Sequence, residues 1–184
     1  MVLSWQIVRF QLKETFAIAY GSYKYREALI ITLQKNESKG YGECTSIDYY
    51  HISLVDFEVI LSKIKSQIEK QSIIHPYDFY AFLLQLALPS FLRSALDCAY
   101  WDLFGKLEKQ PFLELNKIDF TNLPESSITI SVDTVENQIK KIEKSAWTIF
   151  KVKCNHFDEM DITKLLQLEK SLALDSNGSF TKEN

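Results

Sequence analysis

The sequence predicts an α+β unit followed by the first strand–helix repeats of a parallel (β/α) TIM-type barrel. Three observations carry that reading. Residues 3–45 are rich in strand-like stretches, residues 52–105 recur at helical spacing, and beyond Pro124 the pattern changes to strand, helix, strand, helix, strand.

Leu3 to Lys13 alternates in the manner of a strand. Arg26 to Gln34 (REALIITLQ) reads as a second strand, and GYGEC, reached through a polar turn at Lys35 to Lys39, as a third. Together they form a three-stranded antiparallel meander with its tight turn at KNESKG. Glu14 to Tyr25 reads as a long first connection that carries Tyr20, Tyr23 and Tyr25, and connections of that length are commonly functional. From Ile52 to near Lys70, Leu54, Phe57, Ile60, Leu61, Ile64 and Ile68 fall on one helix face. Pro76 suits the first turn of a second helix that runs to about Ala87. Pro89 opens a third, SFLRSALDCAYWDLFGK, in which Leu92, Ala95, Leu96, Ala99 and Leu103 recur at helical spacing and Gly105 is placed to end or bend it. These elements assign residues 1–115 to the α+β unit.

Residues 124–184 form the second region. ITISVD (Ile128 to Asp133) reads as a strand, TVENQIKKIEKSA as a helix capped by Asp133 or Thr134, and TIFKVKC (Thr148 to Cys154) as the next strand. A helix from about Asp158 to Lys170 and a strand at Ser171 to Asp175 follow. A closed barrel of this kind takes about 250 residues, so residues 124–184 amount to its first three strands.

Composition narrows the function classes. The 184 residues are 46% hydrophobic and 24% charged, enough apolar material for a packed core, and the formal net charge of −3 offers no basic field for nucleic acid. The longest apolar stretch, Phe82 to Leu92, is too short to span a bilayer and is interrupted by Gln85 and Pro89. The N-terminus lacks the basic start and apolar run of a signal peptide, which predicts a cytoplasmic chain with no membrane contact. Cys44, Cys98 and Cys154 have neither disulfide nor zinc-site spacing and read as reduced, mostly buried thiols. His51, His75 and His156 are scattered and match no ligand pattern.

Two clusters can carry chemistry. Lys151 and Lys153 alternate along one strand, so both side chains leave the same face. Spacing alone fits two solvated lysines on an edge strand as well as a pair at the C-terminal end of a barrel strand, where such folds carry their active sites. Asp175 and Asn177 sit at the end of the next strand. Asp-Ser-Asn-Gly is equally an ordinary turn, but in a parallel βαβ unit it brings an anion to the same end as Lys153, a candidate hard-cation site facing an ammonium group.

These segments, in their order, resemble the enolase superfamily, within it the muconate-lactonizing-enzyme and mandelate-racemase-like group, and most of all its dipeptide epimerases. The resemblance rests on YGEC closing the meander, on SALDCAYWDLFGKLEKQPF as the family's Ala-Leu-Asp-x-Ala-x-Trp-Asp-Leu-x-Gly-Lys helix, on ITISVDT opening the barrel, on KVK as the Lys-x-Lys motif, and on LDSNGSFTKE as the Asp-x-Asn strand end. It implies an enolase-like N-terminal capping domain followed by an incomplete barrel. The implied activity is Mg²⁺-dependent epimerisation of a dipeptide, in which a proton is removed beside a carboxylate to give an enediolate. An o-succinylbenzoate synthase-like dehydratase and a non-catalytic remnant or interaction module are the alternatives.

Residue by residue, the resemblance makes Lys153 an acid/base, with Lys151 easing its deprotonation and touching the substrate carboxylate. Asp175 becomes the first ligand of the Mg²⁺, supported by Asn177. Thr129 falls at a substrate-contacting position. The 15–25 and 45–53 segments become the capping loops that select substrate; their aromatics Tyr20, Tyr23, Tyr25, Tyr49 and Tyr50 fit packing residues equally well, the commoner case, and Tyr20, Tyr23, Tyr25 and Tyr50 are the substrate-binding candidates. The family's two further metal-ligating carboxylates and its second lysine fall beyond Asn184, which implies no activity for the 184 residues alone. The interval from Lys153 to Asp175 is shorter than the family's, which implies a trimmed second barrel helix. An uncovered strand edge further predicts association with a second copy or a complementary barrel half.

Overall fold

A computed structural model of the chain describes residues 1–19, 21–119, 121–156 and 158–179. It divides into two compact units, Met1–Phe10 with Arg26–Thr121, and Gln11–Tyr25 with Asn122–Asn184.

The first unit contains a sheet of order β1-β2-β3 formed by β1 (Val2–Ile18), β2 (Gly21–Lys35) and β3 (Ser38–Thr45), the two longer strands reaching beyond it into the second unit. β2 and β3 pair antiparallel from Ala28↔Thr45 to Lys35↔Ser38, and left-handed Asn36 (φ 52°) makes the turn between them. Leu29, Ile31 and Leu33 alternate onto the buried face of β2. They meet the apolar sides of α1 (Leu54–Glu69), α2 (Pro76–Gln85) and α3 (Ser90–Glu108) in one core. Of the expected stripe, Leu54, Phe57, Leu61, Ile64 and Ile68 of α1 are buried and Ile60 is half-buried, while Leu92, Ala95, Leu96, Ala99 and Leu103 of α3 are buried and are joined by Tyr100.

α3 rests directly on β3. A Cβ at Gly40 would overlap the carbonyl oxygen of Ala99, and one at Gly42 that of Ala95, so glycines on the strand and alanines on the helix are what the approach requires. Part of the helix motif secures the same contact. The Asp102 carboxylate accepts from the Tyr41 N–H (2.9 Å) and from Lys106 Nζ (2.7 Å), and Lys106 also donates to the Lys39 carbonyl (2.8 Å). Inside, the Tyr100 hydroxyl donates to the Ile74 carbonyl (2.8 Å) and accepts from the Ile74 N–H (2.9 Å), while its ring stacks on Phe79 at 3.8 Å. Ser53 caps α1, and His75 caps α2 through Nδ1, which accepts from the Tyr77 N–H. The N-cap is thus a structural use for one of the scattered histidines.

The second unit holds a parallel sheet of order β4-β5-β6, formed by β4 (Ile128–Ile130), β5 (Ile149–Lys153) and β6 (Ser171–Asp175). Between its strands lie α5 (Val135–Glu143), capped by Thr134, and α6 (Glu159–Leu166), capped by Asp158. They follow the short α4 (Phe112–Leu115) of the first unit. Ile130, Phe150 and Val152 turn their side chains to one face of the sheet and pack with Val135, Ile142 and Leu165 of the helices. The same unit includes the end of the β1–β2 hairpin, where the Val132 N–H donates to the Ala17 carbonyl (3.0 Å) and Lys141 bridges Glu14 (3.1 Å) and Asp133 (3.6 Å).

Several sequence expectations change in detail. The long connection from Glu14 to Tyr25 is mostly strand, because β1 runs to Ile18 and β2 begins at Gly21. Thr15, Phe16, Ile18, Tyr23 and Tyr25 are residues that favour strands, and the segment lacks the Asn-Gly or Asp-Gly signature that marks a short hairpin. Gly105 does not end α3, which runs on to Glu108 and stops at left-handed Lys109 (φ 56°). Its missing side chain makes room for the Gln110 carbonyl, 2.8 Å from where a Cβ would stand. α6 stops at Leu166 instead of Lys170, and Cys98 is exposed.

The α3–β3 contact gives a direct stability prediction. Gly42→Ala must push backbone apart and is expected to cost about 3 kcal/mol, read as faster hydrogen exchange of the α3 amides. Gly178→Ala, strained only by its positive φ with open space around it, is expected to cost about 1 kcal/mol and to leave those amides unchanged.

Candidate active site at the strand ends

The parallel register decides what meets at the C-terminal edge of β4-β5-β6. Thr129 pairs with Lys151 and Lys151 with Ala173, while Lys153 pairs with Asp175. In-register neighbours of a parallel sheet share a face, so Thr129, Lys151, Lys153 and Asp175 all lie on the face opposite the helix-packed Ile130, Phe150 and Val152. Lys153 and Asp175 stand last on adjacent strands, at the same end, as the βαβ reading requires.

Their side chains touch. Lys153 Nζ donates to Asp175 Oδ2 at 2.6 Å, and Lys151 Nζ lies 3.9 Å from the same oxygen. The Lys153 side chain is only 9% exposed, against 43% for Lys151 and 30% for Asp175. A buried ammonium needs a charged partner, and the register supplies one. The other carboxylate oxygen, Oδ1, accepts from the Asn177 N–H (2.9 Å), with Asn177 itself in the left-handed region (φ 51°) that Asn tolerates well. The bond from Lys153, then the Asn177 N–H and the charges of Lys153 and Lys151, hold the Asp175 carboxyl below the ordinary carboxylate range. Burial and the neighbouring Asp175 push the Cys154 thiol up, so the adjacent cysteine is a neutral packing group.

The aromatic candidates are distributed between the units. Tyr23 and Tyr25 lie on the hairpin end that belongs to the second unit, with Tyr23 packed over Gly21. Tyr49 and Tyr50 lie in the first unit, on a single 3₁₀ turn (Asp48–Tyr50), where Tyr50 tilts against Phe91 at 5.5 Å and Tyr49 meets Tyr50 edge-on at 5.1 Å. Tyr20 lies outside the described residues.

Sequence reasoning passed over Gln138. It stands on the inward face of α5 with Val135 and Ile142, completely buried, and its Nε2 donates to the Ser131 and Lys153 carbonyls at 2.8 Å each. Its spacing of three and four residues from two apolar positions marked the buried face, the one signal available before the structure.

As a metal site the arrangement is partial. No three His, Cys, Asp or Glu side chains cluster among the described residues. Asp175 fits a hard cation as one oxygen ligand of the several that such an ion takes. No helix among the described residues is long and apolar enough to cross a membrane.

No protein-family model matches the chain. It is 30% identical to the L-Ala-D/L-amino acid epimerase of a Maribacter species over 185 residues, which cover all of this chain and 55% of that protein. In three dimensions 99% of the chain superposes on 55% of a dipeptide epimerase from Enterococcus faecalis, solved with Mg and L-Leu-L-Tyr, at a TM-score of 0.82 and 21% identity. A muconate lactonizing enzyme from Pseudomonas fluorescens, solved with muconolactone, gives a TM-score of 0.85 at 19% identity, with 98% of this chain and 53% of that one covered.

The chain is similar to the N-terminal part of these epimerases and spans about half the length of the relatives it matches. Its fold is theirs over that part: the three-stranded sheet with its helices matches their capping fold, and β4 to β6 match the opening strands of their barrel.

The site predicts a pH signature. The Asp175 value is depressed on folding, so the stability this carboxylate lends is present above the unfolded value of about 3.9 and is lost as pH falls through the depressed folded value. Lys153→Met is expected to return the Asp175 titration, followed by ¹³C NMR of its carboxyl carbon, toward the ordinary value. Lys151→Met, which removes a contact 3.9 Å away, should move it much less.

Proposed function

We propose that this chain supplies the capping unit and one half of the acid/base machinery of a Mg²⁺-dependent dipeptide epimerase. The observation that supports the reading best is the buried Lys153 held at 2.6 Å by Asp175 at the C-terminal ends of adjacent parallel strands. Barrel enzymes place their chemistry at that end.

Each residue has a part. Lys153 Nζ takes the proton from, or returns it to, the carbon beside the substrate carboxylate. Lys151, on the same face and more exposed, offers a fixed positive charge to that carboxylate. Thr129, beside Lys151 in register, presents a hydroxyl to the substrate, and Tyr20, Tyr23, Tyr25 and Tyr50 are assigned to substrate binding from the sequence. Asp175 contributes one ligand to Mg²⁺, backed by the turn at Asn177, and the remaining ligands come from outside residues 1–184. A bound dication supplies the positive charge that lowers the cost of deprotonating next to a carboxylate. The substrate is a small dipeptide, and the reaction is confined to the cytoplasm. The capping unit occupies residues 1–115 and the barrel portion 124–184. The open edges of the barrel portion take up either a complementary barrel half or a second copy.

The test is deuterium incorporation into L-Ala-L-Glu in heavy water with Mg²⁺, followed by NMR. The 184 residues alone are expected to show no exchange and only weak Mg²⁺ binding by calorimetry. In a polypeptide that completes the barrel, exchange is expected, and Lys153→Ala should lower it by about 10²–10⁴-fold. Robust turnover by the 184 residues alone would refute this catalytic assignment.

A further inference from the structure

We infer that Gln138 is a positioning residue for Lys153, a role that rests on the reading of Lys153 as the acid/base. The β4–β5 ladder runs Ile128↔Phe150, Thr129↔Lys151, Ile130↔Val152 and then stops. One further step in the same register pairs Ser131 with Lys153. At that step Gln138 reaches in from α5 and donates both hydrogens of its Nε2, one to the Ser131 carbonyl and one to the Lys153 carbonyl, each at 2.8 Å. The side-chain amide thus replaces the missing rung.

The geometry selects the residue type. Two carbonyls on neighbouring strands call for one group with two donors and no charge. A hydroxyl has one donor, an ammonium would bring an unpaired buried charge, and a carboxylate would face the carbonyls with its own oxygens. Asn is too short to span from the helix in the same way. Gln138 is fully buried, and its Oε1 has no partner among the described residues. An apolar side chain would suit the packing with Val135 and Ile142 and would leave both carbonyls unpaired.

The Lys153 carbonyl and the Cys154 N–H belong to one peptide plane. Gln138 holds the carbonyl, and the Asp175 carbonyl accepts from the Cys154 N–H at 3.1 Å on the opposite side. With both ends of the plane fixed, rotation about the Lys153 Cα–C bond is blocked, and the side chain leaves the strand in the direction that brings Nζ to Asp175. Without Gln138 the plane is held from one side only, and the lysine gains freedom at the last residue of its strand.

The test compares Gln138→Met, which keeps approximate volume and removes both donors, with Ile142→Val, which disturbs the same helix face and touches neither carbonyl. The readout is acylation of Lys153 relative to Lys151 by an amine-reactive succinimidyl ester at one fixed pH, located by peptide mass spectrometry on the full chain. Gln138→Met is expected to raise the Lys153:Lys151 ratio at least fivefold, and Ile142→Val to leave it within twofold of the unaltered protein. An unchanged ratio in folded Gln138→Met, or an equal rise in both variants, overturns the proposal. If Gln138→Met does not fold, the unaltered chain decides. The Gln138 side-chain amide protons and the Cys154 N–H should then exchange far more slowly than the side-chain amide of exposed Gln85, and fast exchange of both overturns the clamp. The catalytic reading fails separately, if Lys153→Ala retains substrate deuterium exchange in a completed barrel.

Discussion

A lysine withdrawn from water at the end of a strand is the constraint from which the second unit is best understood. Lys153 retains little exposure, and its ammonium finds its charge partner on the neighbouring strand, in register. That pairing demands parallel strands, a crossover through α6 that returns the chain to the same end, and a carboxylate as the last residue of β6. Slipping β6 by one residue would turn Asp175 to the helix-packed face and bring Leu174 opposite the ammonium. The ion pair and the apolar alternation on the other face of the sheet therefore enforce the same register.

A different economy governs the first unit. There the closest approach is backbone to backbone, α3 on the glycines of β3, and polar groups are arranged around it rather than within it. Asp102 and Lys106 spend their charges on the main chain of the strand edge. This gives a structural account of part of the helix motif that carries the chain's resemblance to the enolase superfamily. The Trp-Asp-Leu-x-Gly-Lys segment joins helix to strand through Asp102 and Lys106, and its glycine admits the following turn. That segment serves packing, while Lys151, Lys153 and Asp175 carry the charges at the strand ends.

On the proposed reading, these two solutions serve one purpose. Barrel strand ends can converge charged groups because the sheet and its helices hold them there, and preorganisation of that kind is what proton transfer at carbon requires. Depression of the Asp175 value and burial of Lys153 are two aspects of the same contact. The carboxylate remains ionised because the ammonium is beside it, and the ammonium tolerates its burial because the carboxylate is there.

How much was legible in the sequence follows from how local each signal is. Strand alternation, helical spacing, the cap at Thr134, and the change of pattern after Pro124 depend on residues a few positions apart, and the structure reproduces them. The chemistry-bearing pairs at 151/153 and 175/177 were visible for the same reason, since period-two spacing and turn formers are local. The hairpin through Ile18 and Gly21 was not, because a short turn without Asn-Gly or Asp-Gly leaves its strands indistinguishable from a loop until they pair. Gln138 was hidden more completely. A glutamine on an amphipathic helix carries no local mark of what it donates to, and its two acceptors, at Ser131 and Lys153, come together only when β4 and β5 are already in register. By itself the sequence determined which elements form and which residues bring charge. The tertiary structure alone decided which of those charges touch, because register, burial and shared faces are properties of strands brought together from distant parts of the chain.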